Sequence, residues 1–132
     1  MRMSLSVQSH QAVEIINVTA ALHDLVAGVD DGLALFYIPH TTACLIINED
    51  DEELRADFVK VAENWLAGLK PFKHIKNDNP NTQAHVLSAF GGNQVAVAIA
   101  AGQLDLGRYQ NILLLEMDGP KQREIRCQIV PA

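Results

Sequence analysis

The stretch F-Y-I-P-H-T-T-A-C-L-I-I-N-E-D, residues Phe36–Asp50, decides how this chain is organised. Two apolar runs of strand-like composition, Leu33–Ile38 and Ala43–Ile47, flank a polar corner that contains His40 and two threonines. Strands usually end in turns built from glycine, asparagine or proline. Here they end in an imidazole, hydroxyl groups and carboxylates, which can bind a metal ion, hold an anion or move a proton. This stretch is therefore the first candidate site.

Length and composition predict one globular domain over residues 1–132, because 48% of the residues are hydrophobic and 20% are charged. The net charge of −6 argues against a nucleic-acid partner, since phosphate contacts need a dense basic face. The first residues lack the apolar run of a signal peptide, and no stretch reaches the roughly 20 apolar residues of a membrane span. We therefore expect neither a nucleic-acid nor a membrane partner.

The two cysteines, Cys44 and Cys127, lie far apart in sequence, each inside an apolar run. Cysteines in such runs are typically buried free thiols, which persist in reducing compartments. The sequence therefore predicts a cytoplasmic protein.

Hydrophobic periodicity predicts seven or eight strands and two or three helices. The strands are expected near residues 3–8, 12–16, 33–38, 43–47, 94–99, 111–117 and 124–130, and the first two form either a hairpin or separate strands. One helix of about ten residues follows Asn17 and ends at Gly28, a longer one carries the apolar stripe from Leu54 to Leu69, and a short one covers Ala84–Phe90. Short turns between the strands favour an α+β fold, a largely antiparallel sheet or sandwich with the helices packed on it.

Three histidines, His40, His74 and His85, fall in polar, loop-like settings. Imidazole is the commonest transition-metal ligand, and three imidazoles with one open position describe a catalytic zinc-type site. The spacing matches no specific metal motif, so the alternative is that each is a surface or turn histidine.

The acidic segment after the second apolar run has two interpretations. Its oxygens could hold Mg²⁺ or supply a general base. Alternatively it caps the next helix, with Asp50 or Asp51 as N-cap. Capping explains the segment Asp50–Glu53 and explains Asn48 and Glu49 less well, because those two lie on the strand side of the junction.

Two further segments offer anion-binding groups. Arg108, Tyr109 and Gln110 stand at the entrance of a predicted strand, where an arginine suits bidentate capture of phosphate or carboxylate. The alternative is a solvated turn. Ser88, before a Gly-Gly pair, is a weaker anion-binding signal that matches no P-loop.

Several motifs occur together in one order along residues 10–130. They are P-H-T-T-A at 39–43, I-N-E at 47–49, A-H at 84–85, G-Q-L-D-L-G-R-Y-Q at 102–110 and E-M-D-G-P at 116–120. In this respect the chain resembles the YjbQ-like family, which is also called secondary thiamine-phosphate synthase. It departs from the family pattern where G-R-Y-Q replaces G-T-W-Q and where Gln83 replaces a histidine.

The resemblance implies an α+β fold of antiparallel strands, a homotrimer with sites near subunit boundaries, and histidines that serve as metal ligands. It places three groups of residues on family motifs. The metal ligands would be His40, His74 and His85; the catalytic residues would be Glu49 and Asn48; and the substrate-binding residues would be Thr41, Thr42 and Gln110. Arg108, which departs from the family pattern, joins the substrate-binding residues because an arginine suits the binding of an anion. The metal would be a divalent ion, Zn²⁺ or Mg²⁺.

Together these features predict a metal-assisted enzyme that acts on a small phosphorylated or otherwise anionic compound. The resemblance also implies a thiamine-phosphate synthase activity. We expect this activity to be weak, because the reaction releases pyrophosphate and normally needs several clustered cations, of which the chain has few. The alternative is a non-catalytic homotrimer that binds a small ligand or a metal.

Overall fold

The computed structural model describes residues 2–74 and 81–132. Within them lie eight strands and three α-helices. In chain order they are β1 (Arg2–Gln8), β2 (Glu14–Asn17), α1 (Thr19–Leu25), β3 (Gly32–Tyr37), β4 (Ala43–Asn48), α2 (Glu52–Asn64), α3 (Thr82–Gly91), β5 (Gln94–Ala100), β6 (Gln103–Leu104), β7 (Asn111–Glu116) and β8 (Gln122–Pro131), with a 3₁₀ turn at Ala67–Leu69 after α2. The predicted α+β class is confirmed.

The strands form two antiparallel sheets. A five-stranded sheet has the order β1-β8-β3-β5-β6, and a three-stranded sheet has the order β2-β7-β4. β1 and β2 therefore belong to different sheets, which settles the open choice between a hairpin and separate strands. β3 and β4 also belong to different sheets, so the Phe36–Asp50 stretch crosses from one sheet to the other at its polar corner.

Side chains from both sheets meet in one hydrophobic core. Phe36 on β3 and Ile125 on β8 face Leu45 on β4 and Leu114 on β7, and Leu22 of α1 closes one side. All five are at most 1% exposed. Burying large apolar side chains to this extent is the main stabilising contribution to such a domain.

The second face of the three-stranded sheet lies under α2 and α3. Cys44 and Ile46 of β4 and Leu115 of β7 line an apolar groove together with Phe58 and Leu87 of the two helices. Cys44 and Cys127 are free and buried, as expected from the sequence, and burial raises the pKa of the Cys44 thiol to about 11. None of the helices in the described residues is long and apolar enough to cross a membrane.

Helix α3 approaches β4 most closely at Gly91. A Cβ atom at this position would lie 2.5 Å from Sγ of Cys44, closer than real Cβ atoms come to other heavy atoms. Glycine is therefore needed here to let the helix rest on the strand. This contact sets how near the side chains of α3 come to the polar corner.

We expect Gly91→Ala to lower the free energy of unfolding by about 1–3 kcal/mol, because the added methyl group overpacks the contact with Cys44. Urea denaturation measures this change. Gly68→Ala is the matched control, since its Cβ would meet no atom within 4 Å, and it should change stability by less than about 0.5 kcal/mol. In a Cys44→Ala background the effect of Gly91→Ala should shrink; an undiminished effect would show that the contact with Cys44 is not its cause.

Candidate functional site

An open cleft lies between the polar corner and one face of α3. Its volume is about 390 Å³. The lining residues are His40, Thr41, Ala43, His85, Ser88, Ala89, Gly92 and Asn93. Two of the three predicted histidines therefore share one cleft.

Backbone hydrogen bonds hold the two walls of this cleft together. The N–H of Ile38, just before the corner, donates to the carbonyl of Asn93 at 2.9 Å. The N–H of Leu45, just after it, donates to the carbonyl of Gly92 at 3.1 Å. Because these bonds join both ends of the corner to the connection between α3 and β5, the cleft is part of the rigid framework of the fold.

His40 is held by strand β8. The backbone N–H of Glu124 donates to Nε2 of His40 at 2.9 Å. Partial burial, followed by the charge of Arg123, lowers the pKa of His40, so the ring is neutral at pH 7. In a neutral imidazole the nitrogen that accepts a hydrogen bond carries no proton. The proton of His40 therefore sits on Nδ1.

A buried ion pair between Glu116 and Arg123 lies behind the corner. The Glu116 side chain is fully buried and that of Arg123 is 3% exposed. Arg123 donates from Nε to Glu116 Oε1 at 2.8 Å, and its Nη2 bonds the second carboxylate oxygen. The same Nη2 reaches the carbonyl oxygen and the hydroxyl of Thr42 at 3.1 and 2.9 Å. The hydroxyl of Thr42 thus faces the ion pair, on the protein side of the corner.

The remaining valences of the Glu116 carboxylate are also satisfied. Ser9 Oγ donates to Oε1 at 2.7 Å, and the N–H of Asp118 donates to Oε2 at 3.1 Å. Burial alone would raise the pKa of Glu116, but the hydrogen bonds from Arg123 and Ser9 keep it below its ordinary value. At Gly119 a Cβ atom would overlap the backbone carbonyl oxygen of Gln11 and come within 2.9 Å of the Glu116 and Ser9 side chains, which explains the glycine in this turn.

His85 and His74 form a second contact beside the cleft. Their rings meet edge to face with centroids 5.0 Å apart. The Thr82 hydroxyl, in the first turn of α3, donates to the carbonyl of His74 at 2.8 Å and fixes that segment to the helix. Asn81 ties the start of the same helix to Asp118 at 3.0 Å.

The predicted three-histidine metal site fits these residues only in part. Among residues 2–74 and 81–132, no three histidine, cysteine or carboxylate side chains lie close enough to share a metal ion. The one lone pair of neutral His40 is already used by the N–H of Glu124, so His40 cannot ligate a metal while that bond stands. His74 and His85 are adjacent and could ligate one together. The three-ligand set stays a prediction.

The remaining predicted residues lie at the opposite end of the three-stranded sheet. In the β4–β7 register Ala43 pairs with Glu116 at the cleft end, and Asn48 pairs with Asn111 at the other end. Five residue steps along a strand separate the two ends by about 17 Å. Asn48, Glu49, Arg108 and Gln110, which we call the distal group, therefore do not meet His40 within one chain.

The distal group is ordered by local contacts. The N–H of Glu49 donates to Asn48 Oδ1 at 2.8 Å, and the N–H of Gly107 donates to Gln110 Oε1 at 2.8 Å. The Arg108 guanidinium stacks on the ring of the adjacent tyrosine, 5.4 Å from its centroid. The neighbouring acidic run is structural: the N–H of Leu54 donates to Asp51, which makes Asp51 the N-cap of α2.

Ser9 and Arg123 were absent from the sequence-based site, although the sequence contained a signal for Arg123. On β8 the buried residues Ile125, Cys127 and Ile129 alternate, and Arg123 continues that alternation toward the interior. A charged side chain on the interior face needs a buried partner, which Glu116 at the end of an apolar strand supplies. Ser88, one turn from His85 on α3, is buried, and its hydroxyl makes no hydrogen bond within the described residues.

A carboxylate beside the distal group generates a testable pH dependence. Two side-chain hydrogen bonds from Arg55, with a third from Asn17, lower the pKa of Asp50 to about 2 against the opposing effect of burial. The folded-state pKa is lower than the ordinary value of 3.8, so the stabilisation is complete above pH 3.8 and is lost as the pH falls toward 2.

We expect Asp50→Asn to lower the free energy of unfolding by about 1 kcal/mol at pH 7, because Arg55 is partly solvated. Urea denaturation across pH 2–7 should show this difference shrinking below pH 4. Asp57→Asn, which changes an exposed carboxylate of α2, is the control. A difference that persists unchanged at pH 2 would contradict the assignment to ionised Asp50.

Comparisons with known proteins agree with the fold and motifs described above. The family model "UPF0047 protein YjbQ-like" matches residues 3–132. A UPF0047 protein of Archaeoglobus fulgidus is 39% identical over 123 residues, which cover 93% of this chain and 96% of that protein. The UPF0047 protein YugU of Bacillus subtilis is 31% identical over 125 residues, 91% of this chain and 92% of that protein.

Solved structures resemble the whole chain. A hypothetical protein of Aeropyrum pernix K1 superposes with a TM-score of 0.93 at 29% identity and covers 100% of this chain and 99% of that one. A YbjQ-like protein of unknown function from Sulfolobus solfataricus superposes with a TM-score of 0.90 at 26% identity, covering 100% and 97%. By sequence and by structure, this chain belongs to the UPF0047 (YjbQ-like) family.

Proposed function

We propose that the chain is a metal-assisted enzyme that acts on a small phosphorylated or otherwise anionic compound bound in the His40–His85 cleft. One observation carries the proposal: two imidazoles from different elements line the same open cleft. His40 presents Nδ1 as a hydrogen-bond donor, which suits an oxyanion oxygen. Ser88 adds a hydroxyl without a partner in the described residues.

His74 and His85 are the side chains that would hold a divalent ion, Zn²⁺ or Mg²⁺, because their rings are adjacent. Such an ion would neutralise charge on a phosphate and polarise the bond that breaks. His40 would orient the anion from the opposite wall of the cleft. Two buried free thiols support a reducing, cytoplasmic location as part of this proposal.

A weak thiamine-phosphate synthase activity belongs to the proposal through the family resemblance. That reaction joins a pyrimidine diphosphate to a thiazole phosphate and releases pyrophosphate, whose charge needs several cations. Arg123, a cation behind the polar corner, is already paired with Glu116. We therefore propose it as a side reaction beside an unidentified main substrate.

We further propose that the chain works as a homotrimer whose distal group completes the cleft of a neighbouring copy. The separation of about 17 Å between the two groups within one chain supports this arrangement, because Glu49 cannot act as a base in its own cleft. Exposed aromatic side chains also support it: Trp65 and Phe90 are 58% and 72% exposed, and their ring centroids lie 5.6 Å apart in a tilted arrangement. Apolar groups of this size at a surface are typical of interfaces.

The same separation favours one second candidate, a non-catalytic protein that binds a small ligand or a metal. In that case the cleft would bind its anion without a base, and the distal group would have no part in binding. Turnover distinguishes the two candidates, whereas occupancy of the cleft does not.

For the metal site, we expect protein equilibrated with Zn²⁺ and then dialysed to retain about one ion per chain. His74→Ala and His85→Ala should each lose most of this metal, because each removes half of the adjacent pair. Elemental analysis measures the content, and His10→Ala, which changes an exposed histidine that does not line the cleft, is the control. Equal metal content in all four proteins would refute the assignment.

For catalysis, we expect Glu49→Gln to abolish pyrophosphate release from the pyrimidine and thiazole substrates while binding of inorganic phosphate is preserved. If turnover persists in this variant, Glu49 is not the base. Mixing unfolded Glu49→Gln and His85→Ala chains and refolding them together should restore part of the activity, since mixed trimers contain some clefts with both intact groups. No recovery, with trimers shown by light scattering, would place the complete site within one chain.

A further inference from the structure

Strand β8 forms hydrogen bonds to the polar corner from two neighbouring positions. Arg123 donates to the carbonyl oxygen and to the hydroxyl of Thr42, and the N–H of the next residue, Glu124, donates to the ring of His40. The corner is therefore fixed both through its backbone and through the imidazole. Because Arg123 is itself neutralised by Glu116, these hydrogen bonds leave no uncompensated buried charge.

The hydrogen bond from Glu124 determines which nitrogen of His40 can interact with a ligand. Nε2 points back to β8 and accepts a hydrogen bond. Nδ1 makes no hydrogen bond within the described residues and does not belong to their buried, unpartnered polar atoms. Since the imidazole lines the cleft, Nδ1 is the nitrogen that remains for a ligand.

A metal ion and an oxyanion require opposite protonation states of that nitrogen. A metal ion needs a lone pair, whereas the oxygen of a phosphate or carboxylate needs a proton. Placing a lone pair on Nδ1 would move the proton to Nε2, where it would point at the N–H of Glu124, 2.9 Å away from that nitrogen. Two donors cannot face each other at this distance without breaking the bond.

We infer that β8 locks His40 in the Nδ1–H tautomer, so that His40 recognises an oxyanion oxygen and is not a metal ligand, and that Thr42 and Arg123 are its positioning residues. This inference rests on the proposed binding of a small anion in the cleft. It separates two functions that the family motifs alone would give to one residue: His40 donates to the anion, and the His74–His85 pair serves any metal.

The tautomer can be read directly. In ¹⁵N-labelled full-length protein at pH 7, two-bond ¹H–¹⁵N spectra distinguish a protonated ring nitrogen from one with a lone pair. We expect protonated Nδ1 and unprotonated Nε2 in His40. Thr42→Val removes one acceptor of Arg123, so the corner can move away from β8 and weaken the bond from the N–H of Glu124; the fraction of the Nε2–H form, which free histidine prefers, should then rise. Thr42→Ser keeps the hydroxyl and should keep the wild-type spectrum. A predominantly Nε2–H ring in the wild type would overturn the inference.

Ligand titrations test the consequence of the tautomer. Asparagine at position 40 places an amide N–H near the position of Nδ1, so His40→Asn should bind inorganic phosphate within a few fold of wild type, whereas His40→Ala should bind it at least about tenfold more weakly. The Zn²⁺ affinity of both variants should equal that of wild type. Loss of Zn²⁺ affinity in both would refute the inference.

The two proposals can fail separately. If wild-type protein does not bind inorganic phosphate although His40 shows the Nδ1–H tautomer, the proposed anion-binding function is wrong, and so is the role of His40 as an anion donor. If phosphate binds but His40 shows the Nε2–H tautomer, the proposed function survives and the inference about His40 fails.

Discussion

The buried ion pair between Glu116 and Arg123 is the interaction on which the rest of the candidate site depends. Removing one partner from such a pair typically destabilises a protein by about 3–5 kcal/mol, because the other charge is left buried and unpaired. Here every oxygen of the carboxylate has a donor, and Nη2 of Arg123, which bonds Glu116, also bonds the corner at Thr42. The pair thus fixes the geometry of the polar corner, where the chain crosses from one sheet to the other.

The network also connects elements that are distant in sequence. Ser9, at the end of the first strand, bonds Glu116, 107 residues later, and Asp118 bonds Asn81 at the start of α3. The histidines on the two walls of the cleft are therefore positioned by one set of polar contacts. The Glu116 carboxylate, both of whose oxygens have donors, favours this one arrangement of the elements that meet there, because an alternative would leave its lone pairs unpaired. This is a physical reason for charged residues inside an otherwise apolar sandwich.

The two ends of the three-stranded sheet carry different chemistry. The end where β4 begins offers imidazoles beside an open cleft, whereas the end where β4 finishes offers the carboxylate of Glu49 and the guanidinium of Arg108. Sequence motifs bring these groups together because they flank one short strand. An extended strand then separates them, since each residue adds about 3.3 Å along it. The family motif I-N-E therefore belongs to a different part of the surface from P-H-T-T.

The sequence by itself determined the α+β class, the strand–corner–strand stretch and the long amphipathic helix, because these follow from hydrophobic periodicity. It left the N-cap of that helix open between Asp50 and Asp51, and the structure assigns it to Asp51. It also selected His40 and His85, since polar residues at strand and helix ends stand out locally. Only the tertiary structure decided that β1 and β2 lie in separate sheets, that Arg123 pairs with Glu116, and that His40 is held through Nε2. Those facts depend on contacts between residues far apart in the chain, which hydrophobic patterns do not encode.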